Sequence, residues 1–198
     1  MSNTTIQNET FANLLNDLQI INYTPSSNVL ALIKTDARYI KDLKINVGNV
    51  LNNTQYLNKK EALLLALAVA VNERFDLLKE AFTNLAQQAG ATDAEIAETI
   101  ACTSLMNTNN IFYRFRHFVK KEFYNNQPAG IKMSIMVNPV LGKEFFELLS
   151  LAISAVNGCE MCVVSHEQSV LQHGCSESKV FEAVKLVAII KSLIVVLA

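Results

Sequence analysis

Three side chains in the last quarter of the chain have the types and the spacing that thiol redox chemistry requires. Cys159, Cys162 and His166 lie in the segment NGCEMCVVSHEQSVLQHG. Asn157-Gly158 favours a turn, so we expect a helix to begin just after it. Cys159 would then lie in the first helical turn, where unpaired backbone N–H groups and the helix dipole favour a thiolate. All three side chains would project from one face of this helix.

Two cysteines at this spacing can form a disulfide within one helical turn, and a nearby imidazole can carry the proton that thiol chemistry requires. A peroxide would oxidise the more reactive thiolate to a sulfenic acid. The second cysteine would condense with the sulfenic acid to form a disulfide, which prevents over-oxidation. The pattern therefore favours redox chemistry.

Two other interpretations of the cluster remain open. Cys159, Cys162 and His166 could be three ligands of a structural zinc ion, with His173 or Cys175 as the fourth. A second closely spaced pair of ligands, which is typical of such sites, is absent. The cluster could also be two buried cysteines beside a hydrogen-bonded histidine, without any chemical role.

The elements that must position this cluster are predicted to be helices. No proline lies between Pro25 and Pro128, and no glycine lies between Gly48 and Gly90. Both residues are costly inside a helix, so their scarcity favours long helices. The segment 58–88 is rich in helix formers, and Gly90 and Thr92-Asp93 are typical of a helix end followed by a new N-cap. Further breaks are expected at 125–130 and 138–142, and the fold class is predicted to be all-α.

Composition limits the function classes. The chain has 198 residues, of which 51% are hydrophobic and 18% charged, and its formal net charge is −1. This charge gives no electrostatic reason to expect a nucleic-acid partner, and the excess of apolar residues indicates contacts with another subunit.

The N-terminus lacks the pattern of a signal peptide, and no apolar run is long enough to cross a membrane. We therefore expect a cytoplasmic protein, in which a close cysteine pair is catalytic or metal-binding. The apolar tail, 180–198, should pack in the core or at a subunit interface.

A weak internal repeat divides the chain. Ala70-Val71-Asn72 aligns with Ala155-Val156-Asn157, and one residue of slippage then aligns Gly90 with Gly174. In this alignment Arg74 and Leu77 stand in the first half where the second half has its two cysteines. The sequence thus predicts a duplicated helical unit in which only the C-terminal copy carries the thiol chemistry.

Glu147, followed twelve residues later by Cys159 and then by Cys162 and His166, resembles the motif of the alkylhydroperoxidase D family in the carboxymuconolactone decarboxylase-like superfamily. The segment 106–118 also resembles the middle helix of that family. The resemblance covers the chain from about Asn58 onward. It implies a single helical domain over 1–198, with an N-terminal helical region (1–57), a degenerate first repeat (58–124) and a catalytic second repeat (140–198).

The resemblance also implies the roles of individual residues. Cys162 would form the sulfenic acid, and Cys159 would donate a proton, resolve the intermediate and exchange disulfides with a peroxiredoxin. Glu147 and His166 would relay protons. Members of the family are usually homotrimers without a bound cofactor, and their electrons arrive through a lipoyl-bearing protein. The better-known members have a second histidine between the cysteines, where this chain has Met161; direct peroxidase activity is therefore expected to be weaker than thiol–disulfide exchange.

The remaining candidates have simpler explanations. Without the resemblance, Glu147 would be interpreted as a solvated position in an apolar helix, since a buried carboxylate is expensive. The basic and aromatic segment 112–121 could bind nucleic acid, but its aromatic rings are expected to face the core. Cys102 is expected to be buried, Cys175 could be exposed, and His173 should end a helix. Decarboxylation of a cyclic acid, which some superfamily members catalyse, is disfavoured because those relatives do not depend on a cysteine pair.

Overall fold

The structure, a computed structural model, describes residues 8–198, and this part of the chain is helical throughout, without a β-strand. The all-α prediction is confirmed. The α-helices are α1 (Glu9–Asp17), α2 (Ser27–Lys34), α3 (Tyr39–Asn52), α4 (Lys59–Asn72), α5 (Asp76–Gln88), α6 (Asp93–Val119), α7 (Glu122–Asn126), α8 (Lys143–Val156), α9 (Glu160–Gln172) and α10 (Glu177–Leu197). A short 3-10 turn, Ser134–Met136, lies between α7 and α8. None of the helices in this part of the chain is both long and apolar enough to span a membrane.

The centre of the molecule consists of α4, α8 and α10. α4 is buried continuously from Ala62 to Ala70, and α8 from Phe145 to Ser154. A helix that is apolar on all sides needs neighbours on all sides, and α4 accordingly packs against α5, α6, α8 and α10. The apolar tail forms α10, which packs against α2, α3, α4 and α8. The prediction that this tail is packed inside is confirmed.

Local sequence signals define the beginnings of these helices. The Asn58 side chain accepts from the N–H of Glu61, and the Glu61 carboxylate accepts from the N–H of Asn58. Thr92 and Glu95 form the same reciprocal pair at the start of α6, as the Thr92-Asp93 pattern predicted. Each pair satisfies backbone donors that an isolated helix leaves unpaired.

Two successive groups of helices, α4–α5–α6 and α8–α9–α10, have matching geometry. α4 and α8 contain 14 residues each, and α5 and α9 contain 13 each. In the links after α4 and α8, the N–H groups of Phe75 and Cys159 donate to the carbonyl five residues earlier, and Arg74 and Gly158 have positive φ. The backbone is therefore the same in both links.

This geometry corrects the register of the sequence repeat. Phe75 and Leu78 occupy the places of the two cysteines, whereas the sequence alignment assigned Arg74 and Leu77 to them. The alignment was one residue off because two apolar helices overlap well in either register, and a shared Ala-Val-Asn triplet favoured the wrong one. That the two halves arose by duplication stays a prediction.

The helices that precede α4 cover one side of the core. α3 packs against α1, α4 and α10, and buries Leu43, Val47 and Val50. At the end of α10 the hydroxyls of Tyr23 and Ser26 donate to the carbonyls of Leu197 and Val196, at 3.0 and 2.9 Å. These bonds satisfy carbonyl groups that have no partner within the helix. The described part of the N-terminal region, 8–57, thus supplies helices that cover the core.

Glu182 of α10 fixes the segment that leads from α3 to α4. Its carboxylate accepts from the N–H groups of Gln55, Tyr56 and Leu57, at 2.8, 2.9 and 3.1 Å. Burial alone would raise the pKa of Glu182, but these three bonds and the charge of Lys185 hold it below its ordinary value. The carboxylate is therefore ionised at neutral pH and joins α10 to the segment before α4.

Candidate active site

The turn between α8 and α9 determines where the cysteine pair lies. Gly158 has φ +67°, a left-handed conformation that reverses the chain after α8. The N–H of Cys159 then donates to the carbonyl of Ser154 at 3.1 Å, and α9 begins at Glu160. Cys159 is thus the N-cap of α9, one residue before the predicted first turn, and it remains next to the positive end of the helix dipole.

A chain of amide side chains holds this turn in place. Asn157 receives a hydrogen bond from Asn72 at 3.0 Å and donates one to Asn110 at 2.9 Å, and Asn110 donates to Ser154 at 2.9 Å. Arg114 donates to the backbone carbonyl of Asn157 at 2.6 Å. The end of α4, the helix α6 and the turn before Cys159 are therefore joined by one partly buried polar network, which the sequence analysis did not find.

Cys159 and Cys162 form a disulfide, with their Cα atoms 5.3 Å apart. The two sulfur-bearing side chains differ in access. Cys159 is 1% exposed, whereas Cys162 is 6% exposed and lines a cavity that opens beside the cluster. A small molecule that enters this cavity reaches Cys162 and not Cys159.

His166 lies one helical turn after Cys162 and is paired with Glu147 of α8. Its Nδ1 is 2.7 Å from Oε2 of Glu147, and both side chains are buried. Lys143 Nζ lies 3.9 Å from the other carboxylate oxygen and also donates to the carbonyl of Met136. Burial alone would raise the pKa of Glu147, but the hydrogen bond from His166 and the charges of His166 and Lys143 hold it below its ordinary value. The carboxylate stays ionised and fixes the orientation of the imidazole, whose other nitrogen is free for proton transfer.

The cavity next to Cys162 has a volume of about 420 Å³. Its lining combines the reactive groups with a largely apolar wall. The residues that line it are Asn109, Tyr113, Met133, Met136, Met161, Cys162, Ser165 and His166. Met161, which replaces the second histidine of the motif, is therefore part of the wall. Ser165 lies on α9 with the motif, whereas Asn109 and Tyr113 come from α6 and Met133 and Met136 from the segment before α8, far from the cysteines in sequence.

Known proteins with similar sequences define the family. The model of the carboxymuconolactone decarboxylase family matches residues 126–195. An alkyl hydroperoxide reductase AhpD of Anaeromyxobacter dehalogenans is 41% identical over 152 residues, which cover 76% of this chain and 80% of the relative. The AhpD of Maricaulis maris is 37% identical over 81% of this chain and 91% of its own length, and that of Coxiella burnetii is 36% identical over 78% and 88%. The chain belongs to the AhpD family.

A solved structure supports the fold. A protein described as a candidate gamma-carboxymuconolactone decarboxylase subunit from Burkholderia xenovorans has a TM-score of 0.62 to this chain, at 15% identity. The match covers 92% of this chain and 91% of the other. This chain therefore shares its fold with that protein across nearly its whole length.

In this family member the other candidate residues lie apart from the cluster. His173 ends α9, where its Nδ1 is 2.7 Å from the carbonyl of Ser169. Cys175 is buried rather than exposed, because the preceding Gly174 turns the chain inward against the start of α10; burial and the charge of Glu144 raise its pKa to about 11. Among residues 8–198 no three histidine, cysteine or acidic side chains converge as a metal site would require.

Cys102 is fully buried, as expected, and burial raises its pKa to about 12. The raised pKa values disfavour the thiolate form of both Cys102 and Cys175. Among the described residues, the disulfide pair is therefore the candidate centre for thiol chemistry.

The aromatic segment at the end of α6 does not pack as the sequence suggested. Phe115 and Phe118 are 45% and 70% exposed rather than turned toward the core. Tyr124 of the short helix α7 packs edge-on against Phe115, with 5.1 Å between the ring centroids, and both phenylalanine rings nevertheless stay largely exposed. Arg116 lies over the ring of Phe112, 4.5 Å from its centroid, so the cation shields an aromatic ring instead of forming part of an open basic surface.

Proposed function

We propose that this AhpD family member is a thiol peroxidase that reduces organic hydroperoxides through a Cys159/Cys162 dithiol–disulfide cycle. One observation carries the proposal: Cys162 faces a cavity beside an imidazole whose orientation is fixed by a buried carboxylate. A nucleophilic sulfur, a proton carrier and a space for substrate are the parts that such a reaction requires. The names of the similar AhpD proteins support the same activity.

In the reduced protein the Cys162 thiolate attacks the terminal oxygen of the hydroperoxide. The O–O bond breaks, Cys162 becomes a sulfenic acid, and the alkoxide takes a proton through His166 and Glu147 and leaves as an alcohol. The Cys159 thiol then attacks the Cys162 sulfur, so that water leaves and the disulfide forms. An external dithiol reduces this disulfide and restores both thiols.

The source of these electrons is part of the proposal. A lipoyl-bearing protein would supply the dithiol, and a peroxiredoxin would receive electrons from this chain by disulfide exchange. The low exposure of Cys159 means that exchange with a protein partner at that sulfur requires its cover to move. No bound cofactor is needed, because the dithiol itself carries both electrons.

We also propose that the protein works in the cytoplasm as a homotrimer. A dithiol that must be reduced in every cycle suits a reducing compartment. Exposed apolar side chains on α6 and α7, among them Phe118 and Phe123, supply surface that a second subunit would cover.

The test is hydroperoxide-dependent turnover by the purified, metal-free protein, with dihydrolipoamide as the reductant and with or without a peroxiredoxin. We expect turnover in the wild type and in Cys175→Ser, and none in Cys162→Ser. Turnover that increases with peroxiredoxin would assign the exchange role. Absence of turnover under both conditions, while both thiols remain oxidisable, would leave a redox sensor, and a stoichiometric metal that survives dialysis would favour the zinc interpretation.

A further inference from the structure

Asn109 on α6 is a buried amide whose hydrogen-bonding capacity is not used. It is 4% exposed, and its Oδ1 is the only buried side-chain oxygen or nitrogen in the described chain that has no hydrogen-bond partner. Its Nδ2 donates to the thioether sulfur of Met133 at 3.3 Å, a weak acceptor. A thioether cannot donate, so the amide nitrogen faces it and the carbonyl oxygen is left free.

The neighbouring amides of the same helix are satisfied. Asn107 donates to Asn72 at 2.8 Å, and Asn110 bonds to Ser154 and Asn157. A buried acceptor without a partner costs about 1–3 kcal/mol. Natural proteins leave few such groups, and those that they keep need an explanation. Asn109 lines the cavity of Cys162 and His166, and its Oδ1 is covered in the empty cavity. A turn of the amide away from the weak acceptor Met133 would present Oδ1 to a ligand in that cavity, which is the available source of the missing donor.

The wall of the cavity indicates the remainder of the ligand. Met133, Met136 and Met161 contribute three flexible, polarisable thioether side chains, and Tyr113 adds an aromatic ring. Such side chains adapt to hydrocarbon groups of different shapes. A volume of about 420 Å³ lies in the range that small organic ligands fill and is far larger than a water-sized oxidant needs.

We propose that Asn109 is the substrate-binding residue that accepts a hydrogen bond from the terminal O–H of an organic hydroperoxide, while the methionine wall holds its hydrocarbon group. This inference rests on the proposed peroxidase function and adds its specificity. The bond from the O–H to Oδ1 fixes the terminal oxygen for attack by the Cys162 thiolate. The O–O bond then breaks, the terminal oxygen stays on sulfur, and the alkoxide leaves toward His166, which returns a proton.

The test compares two oxidants that differ in the O–H group. Reduced protein is mixed rapidly with cumene hydroperoxide or with 5,5′-dithiobis(2-nitrobenzoic acid), a disulfide that lacks an O–H, and the remaining thiols are trapped with N-ethylmaleimide and counted by mass spectrometry. The variants are Asn109→Leu, which keeps the volume, and Asn109→Ala, which avoids any clash should the leucine variant fail to fold. Met106→Leu is the matched control, since Met106 lies on the same helix, is fully buried and does not line the cavity.

We expect the rate constant with cumene hydroperoxide to fall about tenfold in both Asn109 variants, the loss of one hydrogen bond, while the rate with the aromatic disulfide changes less than twofold. Two results would overturn the role of Asn109 alone. One is an equal rate of variant and wild type with cumene hydroperoxide, and the other is an equal decrease of the rates with both oxidants. A wild type that reacts with the disulfide but not with the hydroperoxide would overturn the proposed function itself.

The methionine wall has a separate test. Met161→Gln replaces a thioether with a polar group of similar length at a side chain that is 38% exposed, so folding is not at risk. We expect the ratio of the cumene hydroperoxide rate to the hydrogen peroxide rate to fall about threefold, because the polar group is less compatible with a hydrocarbon. An unchanged ratio would show that the methionine wall does not favour substrates with a hydrocarbon group.

Discussion

At the scale of single residues, the buried pair Glu147–His166 is the feature with the clearest chemical meaning. A carboxylate inside an apolar helix is costly to bury unless a partner compensates it. His166 supplies that partner at 2.7 Å, and the low pKa of Glu147 follows from the contact together with the charge of Lys143. The pair fixes one nitrogen of the imidazole and leaves the other for the cavity.

Glu147→Gln keeps the size of this side chain and removes its charge. We expect the rate of hydroperoxide-dependent disulfide formation to fall by about two orders of magnitude, the usual contribution of a positioned acid–base group. Glu144→Gln is the control, since Glu144 lies on the same helix and pairs with Lys179 instead. Rapid-quench measurement of thiol loss checks both variants, and equal rates for the two would exclude a relay through Glu147.

The sequence predicted the positions of this pair and of the cysteines because a spaced motif carries them. Asn109, Met133 and Met136 were not predicted, because their approach to Cys162 depends on how α6 and the segment before α8 pack. Asparagine and methionine are common residues without a motif of their own. A run of four polar residues, 107–110, in the middle of a helix was the signal that could have directed attention there; Asn109 and Asn110 of this run are buried.

At the scale of elements, the link between α8 and α9 positions the reactive cysteines. It needs one residue with positive φ, which Gly158 supplies and which Arg74 supplies at a cost in the equivalent link after α4. In the first group of helices, Leu63 and Phe82 stand where the second has Glu147 and His166. The same backbone thus holds the Glu147–His166 pair in the second group of helices and apolar side chains in the first.

Substituting two glycines by alanine should give effects of opposite sign. Gly158→Ala should lower the free energy of unfolding by about 1 kcal/mol, because a Cβ is strained at φ +67° although no atom lies within 4 Å of it. Gly48→Ala, inside α3 and equally free of contacts, should raise it by up to about 1 kcal/mol through helix propensity. Urea unfolding of the oxidised protein measures both. Changes of the same sign would contradict the assigned backbone conformations.

The helices themselves were largely predictable, since caps and the scarcity of glycine and proline are local signals. The exact register between the two groups was not, because apolar helices give similar patterns when shifted by one residue. The exposure of Phe115 and Phe118 was also missed, since it depends on which helices pack against the last turns of α6. Local patterns thus define elements better than they define which face of an element is covered.

At the scale of the whole molecule, α10 joins the N-terminal helices to the core. Its outer face binds the segment before α4 through Glu182, and its last turn is capped by residues next to α2. These contacts connect parts of the chain more than a hundred residues apart. The stability of the N-terminal cover therefore depends on a few polar contacts with α10 as well as on apolar packing.

Glu182→Gln should make this connection weaker and change its pH dependence. The carboxylate has a pKa below 4.5 in the folded protein, so the stability that it contributes is present above pH 4.5 and is lost as the pH falls through the folded value. We expect the variant to be less stable by about 1 kcal/mol at pH 7, with a difference from wild type that shrinks below pH 4.5.

Thermal unfolding across pH 3–8 checks this expectation, and Glu80→Gln, at an exposed position on α5, is the control. A difference between wild type and Glu182→Gln that stays constant over this range would show that the three backbone bonds do not depend on the charge.

The central place of α10 has a consequence for biosynthesis. A ribosome makes α4 and α8 before α10, yet both helices pack against it. During translation these two helices therefore lack a neighbour that covers their apolar faces, and a nascent chain in that condition is prone to aggregate. The core closes only after the α10 segment has emerged from the ribosome, so α4 and α8 complete their packing long after they have been made. Until then the apolar faces of α4 and α8 that α10 covers stay exposed to solvent, whereas the cavity beside Cys162 is lined only by residues that precede α10.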